Sequence, residues 1–181
     1  MRAKRPGPPH YVVRLEGVPT SLLLAAKAHI DNVVRELSLL RSAQASGLTE
    51  LAPAMLALID TVTGEFATAR GEVKRQALAA AARGEALTEL ELRLPLSYAD
   101  AGEHYLAALD EADRYARSAR LLTLAPPPSH RTFRRWYVGS LVEQLRAIAE
   151  GRPARPSEPL PTVLAAALDE LGLAMDRVTG A

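Results

Sequence analysis

Proline divides this chain. Its ring fixes φ and its nitrogen carries no hydrogen, so it is excluded from helix interiors. The 13 prolines therefore mark where helices cannot run. They stand at Pro6, Pro8, Pro9, Pro19, Pro53, Pro95, Pro126, Pro127, Pro128, Pro153, Pro156, Pro159 and Pro161, with long proline-free stretches between them. Each stretch is a candidate helix. Hydrophobic residues make up 48% of the chain but aromatics only 4%, so the core must be built from Leu, Ala and Val, which suits close-packed helices better than a broad sheet. The 181 residues suffice for one domain with a short extra arm.

The first stretch predicts a helix from about Thr20 to Ser46. Leu23, Ala26, Ile30, Val33, Leu37 and Leu40 recur three and four residues apart along one seam, Lys27, Asp31 and Arg35 step by four on the other side, and Gly47 stops it. A second helix begins near Glu50 and carries Leu51, Met55, Leu58, Val62 and Phe66, with Pro53 tolerated in its first turn. A break is expected near Gly71, before an Ala-rich segment from Glu72 to Arg83. The third helix takes Ser97 as N-cap and Asp100 in its first turn, and its seam runs Tyr98, Ala101, Tyr105, Ala108, Ala112, Tyr115, Ala119 and Leu122. Ser129 can cap a fourth, with Phe133, Tyr137, Leu141, Leu145 and Ile148 as its apolar stripe up to Gly151. A last amphipathic piece, Thr162 to Val178, aligns Leu164, Leu168, Leu171 and Met175.

Two short stretches have the two-residue period of half-buried strands instead. They are Tyr11, Val13 and Leu15, and Leu90, Leu92 and Leu94 alternating with Glu89, Glu91 and Arg93. They can pair as a ribbon lying on the helices, since a two-stranded ribbon alone is marginal, or serve as extended connectors. The expected fold is all-α: a four-helix-bundle-like domain over residues 11–151 with at most a minor two-stranded β-ribbon. A flexible basic tail (1–10) precedes it, and a Pro-rich linker (152–161) and an extra C-terminal helix (162–181) follow.

Several chemistries are disfavoured. The 22 Lys plus Arg balance 21 Asp plus Glu, so no bulk attraction to nucleic acid or membrane is built in. Cys is absent, which removes disulfides, thiolate metal sites and Cys nucleophiles. No stretch approaches the roughly 18 uncharged apolar residues of a membrane span, and the basic start with Arg2, Lys4 and Arg5 has no signal-peptide core, so a cytoplasmic protein is expected. His10, His29, His104 and His130 form no His-Glu-x-x-His or Glu-x-x-His pattern. Asp100 and His104, four apart, make a weak metal-ligand pair for which a surface hydrogen bond is the simpler reading. No Gly-x-Ser-x-Gly turn or Gly-rich phosphate loop occurs. The expectation is a non-enzyme with no cofactor and no metal.

The most informative stretch is His130-Arg131-Thr132-Phe133-Arg134-Arg135-Trp136-Tyr137. Arginines in a first turn face the positive end of the helix dipole, which costs about 0.3–1 kcal/mol each at an exposed site. Something must compensate: the acidic Asp110–Asp113 region of the same chain, an acidic protein partner, or a small anionic ligand held by helix N–H groups and arginine forks. The functional reading makes Arg131, Arg134, Arg135 and Trp136 a contact for a protein partner or an anion. The plainer reading puts Phe133 and Tyr137 in the core, Trp136 over the bundle, and the arginines in intrachain pairs. Basic residues among aromatics also fit nucleic acid, against which stand the near-zero net charge and the lack of a second basic patch. A further reading is a small-molecule sensor, with Tyr98, Tyr105, Tyr115 and Trp136 lining a pocket between helices. Homodimerisation through exposed seams is open to any such bundle.

Four segments carry a longer likeness: Leu15-Glu16-Gly17-Val18-Pro19, Leu109-Asp110-Glu111-Ala112-Asp113 on to Tyr115, Leu121-Leu122-Thr123-Leu124-Ala125-Pro126, and Phe133-Arg134-Arg135-Trp136-Tyr137. In this order, over roughly Arg14 to Ile148, the chain resembles a family of small uncharacterised helical proteins of high-GC actinobacteria. The resemblance implies association with signalling modules of serine phosphatases, STAS-type antagonists and kinase-like anti-sigma factors, where helical proteins act by binding. It supplies no catalytic residue. Separately, Val33-Val34-Arg35-Glu36-Leu37-Ser38-Leu39 looks like the dimerisation helix of sensor histidine kinases with Ser38 at the phospho-acceptor position, which implies a scaffold unable to take phosphate on histidine. The function expected from all this is a regulatory protein acting by protein–protein interaction in a bacterial signalling pathway.

Overall fold

A computed structural model describes residues 8–64, 66–155 and 160. Its elements run β1 (His10–Pro19), α1 (Thr20–Ala45), α2 (Pro53–Gly64), α3 (Ala67–Ala82), β2 (Leu87–Pro95), α4 (Tyr98–Arg117) and α5 (Pro128–Ala149). The expected C-terminal helix and most of the basic tail lie outside the described residues.

The alternating segments form strands and pair antiparallel, with Tyr11 opposite Leu94, Val13 opposite Leu92 and Leu15 opposite Leu90. Alternation sends Val13, Leu15, Thr88, Leu90, Leu92 and Leu94 to one buried face. Continued unbroken past Leu15, the two-residue period would turn Val18 outward. A register shift between Leu15 and Val18, where Gly17 adopts φ +63°, restores the phase and buries Val18 completely.

This ribbon is a layer of the core, and that corrects the all-α, four-helix-bundle-like expectation. The fold is mixed and mostly helical, with five helices and a two-stranded antiparallel sheet among the described residues. The physical reason lies at the sheet's edges, which would otherwise expose unpaired backbone groups. Gln144 of α5, only 4% exposed, accepts from the Arg14 N–H at 3.0 Å and donates to the Arg14 carbonyl at 2.7 Å. Gln76 of α3 does the same for Glu91, accepting from its N–H at 3.0 Å and donating to its carbonyl at 2.7 Å. Arg14 and Glu91 face each other in the register. Each edge is thus closed at the same level by a glutamine amide standing in for a neighbouring strand, which holds the ribbon between α3 and α5.

The helices arrange two core groups. The first joins the ribbon's inner face to Leu23 and Ala26 of α1, Val73 and Ala77 of α3, and Phe133, Trp136, Val138, Leu141 and Leu145 of α5, with Leu160 also buried there. The second joins Val33 and Leu37 of α1 to Met55, Leu58, Ile59 and Val62 of α2 and Tyr105, Leu109 and Ala112 of α4. The long α1 seam serves both, as its spacing indicated. Lys27 and Asp31 pair along its flank at 2.7 Å.

Three helix boundaries differ from the sequence reading. The break between α2 and α3 falls at Phe66, with φ +60°, while Gly71 lies inside α3. A left-handed non-glycine residue is costly, and here the ring is held against Tyr98 at 4.6 Å and Tyr105 at 5.1 Å between centroids. Helix α4 stops at Arg117, and Ala119 takes φ +54°, so Leu122 leaves the seam and is 93% exposed. Helix α5 begins with Pro128 in its first turn, where a missing N–H costs nothing, so Ser129 lies inside it and does not cap.

Candidate functional site

Between the two core groups lies a cavity of about 110 Å³. Its wall comes from α1 (Leu23, Ala26, Lys27, Ile30), α3 with the preceding Phe66, α4 (Tyr98, Gly102, Tyr105, Leu109) and α5 (Phe133, Arg134, Tyr137 and the aliphatics that follow). Among the described residues the lining is almost wholly apolar, and its charged members are Lys27, Arg70 and Arg134. One helix crossing in this wall is very close: a Cβ built on Gly102 would stand 2.6 Å from Val142 Cγ2, so α4 and α5 touch at that level.

Arg134 is the polar hinge of the site. Its guanidinium, 7% exposed, donates from Nη2 to Asp113 Oδ2 at 2.9 Å and to Asp110 Oδ1 at 2.6 Å, with a longer contact from Nη1 to Asp113 Oδ1 at 3.4 Å. Asp113 is itself 3% exposed. Arg135 pairs with Asp110 at 2.8 Å, and Arg131 Nε lies 3.6 Å from Asp113 Oδ2. The last turns of α4 thus bring carboxylates to the first turns of α5 and offset the arginines' unfavourable place on the helix dipole. Asp110 is held below the usual aspartate range: burial pushes it up, and the hydrogen bonds and charges of Arg135 and Arg134 outweigh that. The Nε atoms of Arg134 and Arg131 and the His130 Nδ1 atom are shielded from solvent and make no hydrogen bond among the described residues.

Two histidines border this cluster, His29 of α1 and His130 of α5, with ring centroids 6.4 Å apart. His29 is pulled below the ordinary histidine value by burial, with Asp113 opposing and the His130 and Arg134 charges reinforcing. Inside the cavity, Tyr105 and Tyr137 are raised above the ordinary tyrosine value by burial, so both phenols are neutral and able to donate.

Of the residues singled out from sequence, Arg134 and Trp136 are buried, and Arg131 and Arg135 present partial surface. Tyr98 and Tyr105 stand in the cavity wall. Tyr115 does not; it packs beside the second core group with Arg120 over its ring at 5.6 Å. Trp136 lies instead against Phe133 at 5.9 Å. Sequence reasoning missed Lys27, Phe66, Arg70 and Tyr137 as wall residues. Of the compensating partners it offered for the arginines, the Asp110–Asp113 region of the same chain is the one that meets them. His104 is exposed, and Asp100 contacts Arg146 at 3.5 Å. Among the described residues, no group of three or more His, Cys, Asp or Glu side chains is placed to hold a metal ion, and no helix is long and apolar enough to cross a membrane. Compared with known proteins, the chain matches no family model, no curated protein and no solved structure.

Proposed function

We propose that this chain is a cytoplasmic, non-catalytic sensor that takes a small, mostly apolar molecule into the cavity among α1, α3, α4 and α5. The cavity carries the reading. Protein interiors pack like organic crystals, with few voids larger than water. A molecule that fits supplies the contacts the wall atoms of such a space lack. Apolar cavities of about 150 Å³ stay dry and admit benzene, so a ligand of similar or slightly smaller bulk suits this wall. Thermal unfolding with excess benzene, toluene or xenon tests the reading: each should raise Tm in a dose-dependent way, and no shift with any of them counts against it.

A second reading, regulation through a protein partner, draws on the segment after α4. Glu36 of α1 accepts from the N–H groups of Leu122 and Thr123, the latter at 2.8 Å, and so pins this segment on α1. Leu122 and Leu124 remain 93% and 83% exposed. The likeness to helical components of bacterial signalling modules leans the same way. Co-purification with neighbouring gene products, or self-association on sizing, should disappear when both leucines become Asp; undiminished association would exclude this surface.

A further inference from the structure

The edge of β2 has one rung left open, and we propose that it receives the C-terminal tail of a protein partner. In an antiparallel pair, every second residue turns its N–H and C=O away from the facing strand. Gln76 takes those of Glu91, so Arg93, two residues on, directs its own the same way, off the edge and toward α3. Neither group has a hydrogen-bond partner among the described residues. Here α3 stands back from the strand and leaves a groove of about 500 Å³, with Thr68, Ala69 and Glu72 on one side and Leu92, Arg93 and Leu94 on the other. Backbone pairing at a free edge is a general way of holding an extended peptide.

Two features say which part of a peptide fits. Gln76 fills the edge at Glu91, so a strand cannot run through and the groove takes a chain end. A tail lying antiparallel to β2 enters past His10 and Pro95 and stops at Gln76 with its C-terminus; a parallel one would bring an ammonium there. Charge favours the first. Glu72 is engaged by Arg75 and by Gln76 at 2.9 Å, and Glu91 by Arg14 at 2.8 Å, whereas the Arg93 guanidinium has no partner among the described residues. The last residue of the tail then donates its N–H to the Arg93 carbonyl, and its carboxylate accepts from the Arg93 N–H with the guanidinium as counter-ion. Alternation fixes one side chain more. The last residue points outward beside Arg93, and the one before it points inward to Ala69, Leu94 and Tyr98, which suits an apolar, β-branched residue.

The test follows backbone amide signals of the isotope-labelled full chain by NMR during titration with acetyl-Thr-Thr-Val-Ser bearing a free C-terminus, with the C-terminal amide of the same peptide, and with sodium acetate. The free acid should shift the Arg93 amide saturably and bind at least about tenfold more tightly than the amide. Exchanging the peptide's Val for Asp should weaken it by a similar factor. Arg93→Gln, a change at an exposed side chain, should bring acid and amide to equal, weak affinity. Should that variant fail to fold, the comparison of acid and amide on the unaltered chain decides. Equal affinity of the two there overturns the assignment of a C-terminus, as does acetate matching the peptide, which marks a bare anion site. An Arg93 amide unmoved by the free acid overturns the proposal. Binding undiminished by Arg93→Gln, or by Asp in place of the peptide's Val, puts the tail outside this groove and overturns it too.

Discussion

The Arg134 guanidinium meets the Asp113 carboxylate across the α4–α5 interface at 2.9 Å, with both side chains withdrawn from water. Breaking one side of such a pair strands a buried charge. Arg134→Met or Asp113→Leu alone is expected to destabilise the fold by about 3–5 kcal/mol, whereas the two changes together should recover most of that loss. Urea unfolding of the two singles and the double decides it, and strictly additive losses would mean that the pair is not coupled.

The glutamine clamps differ in burial and should differ in worth. Gln144→Ala leaves the Arg14 N–H and carbonyl unmade against a buried helix and is expected to cost about 2–3 kcal/mol, while Gln76→Ala, at an edge open to water, should cost about 1 kcal/mol. Hydrogen exchange gives a local check: the Arg14 amide should lose protection in the first variant and the Glu91 amide in the second.

Gly102 is required by space, since its Cβ would press on a stiff, β-branched neighbour 2.6 Å away. Overpacking by one methyl costs about 1–3 kcal/mol, against about 1 kcal/mol gained from alanine's helix propensity. Gly102→Ala should therefore destabilise by about 1 kcal/mol, and adding Val142→Ala should relieve the clash between them. A negligible interaction term in that cycle would contradict the close crossing.

His29 makes stability fall on mild acidification. Burial lowers its value in the folded protein, so the unfolded chain binds a proton more readily. The stability it protects is complete above the unfolded histidine value of about 6.5 and is lost as pH drops through the folded value. Asp110 acts in a separate, more acidic window: its folded value is also lowered, so its contribution is present above the ordinary aspartate value and disappears below it. Unfolding free energies from pH 8 to 5 should decline for the unaltered chain and flatten for His29→Gln; equal slopes would contradict the assignment.

Much of the architecture was legible because burial imposes a period. The α1 seam and the inward residues of both strands declared themselves through steps of three to four and of two. What escaped was set by partners far away in sequence. Nothing local marks Phe66 as the left-handed residue preceding α3, since its reward comes from Tyr98 and Tyr105 across the core. The same holds for Gln144 and Gln76, ordinary surface-type residues whose amides complete a sheet. At the site, the arginine cluster stood out by its dipole conflict, but which arginine would be buried depended on Asp113 turning inward from α4, and a cavity is a property of packing that no periodicity announces.

The central claim is that the space lined by Leu23, Val73, Leu94, Leu141 and Val142 takes up a small apolar body. Methyl NMR during titration with toluene tests it most directly. The expected result is saturable shifts on the methyls of those residues, leaving the α2 methyls of Leu58 and Val62 still. Methyls that do not respond, or shifts confined to the exposed Leu122 and Leu124, would contradict it.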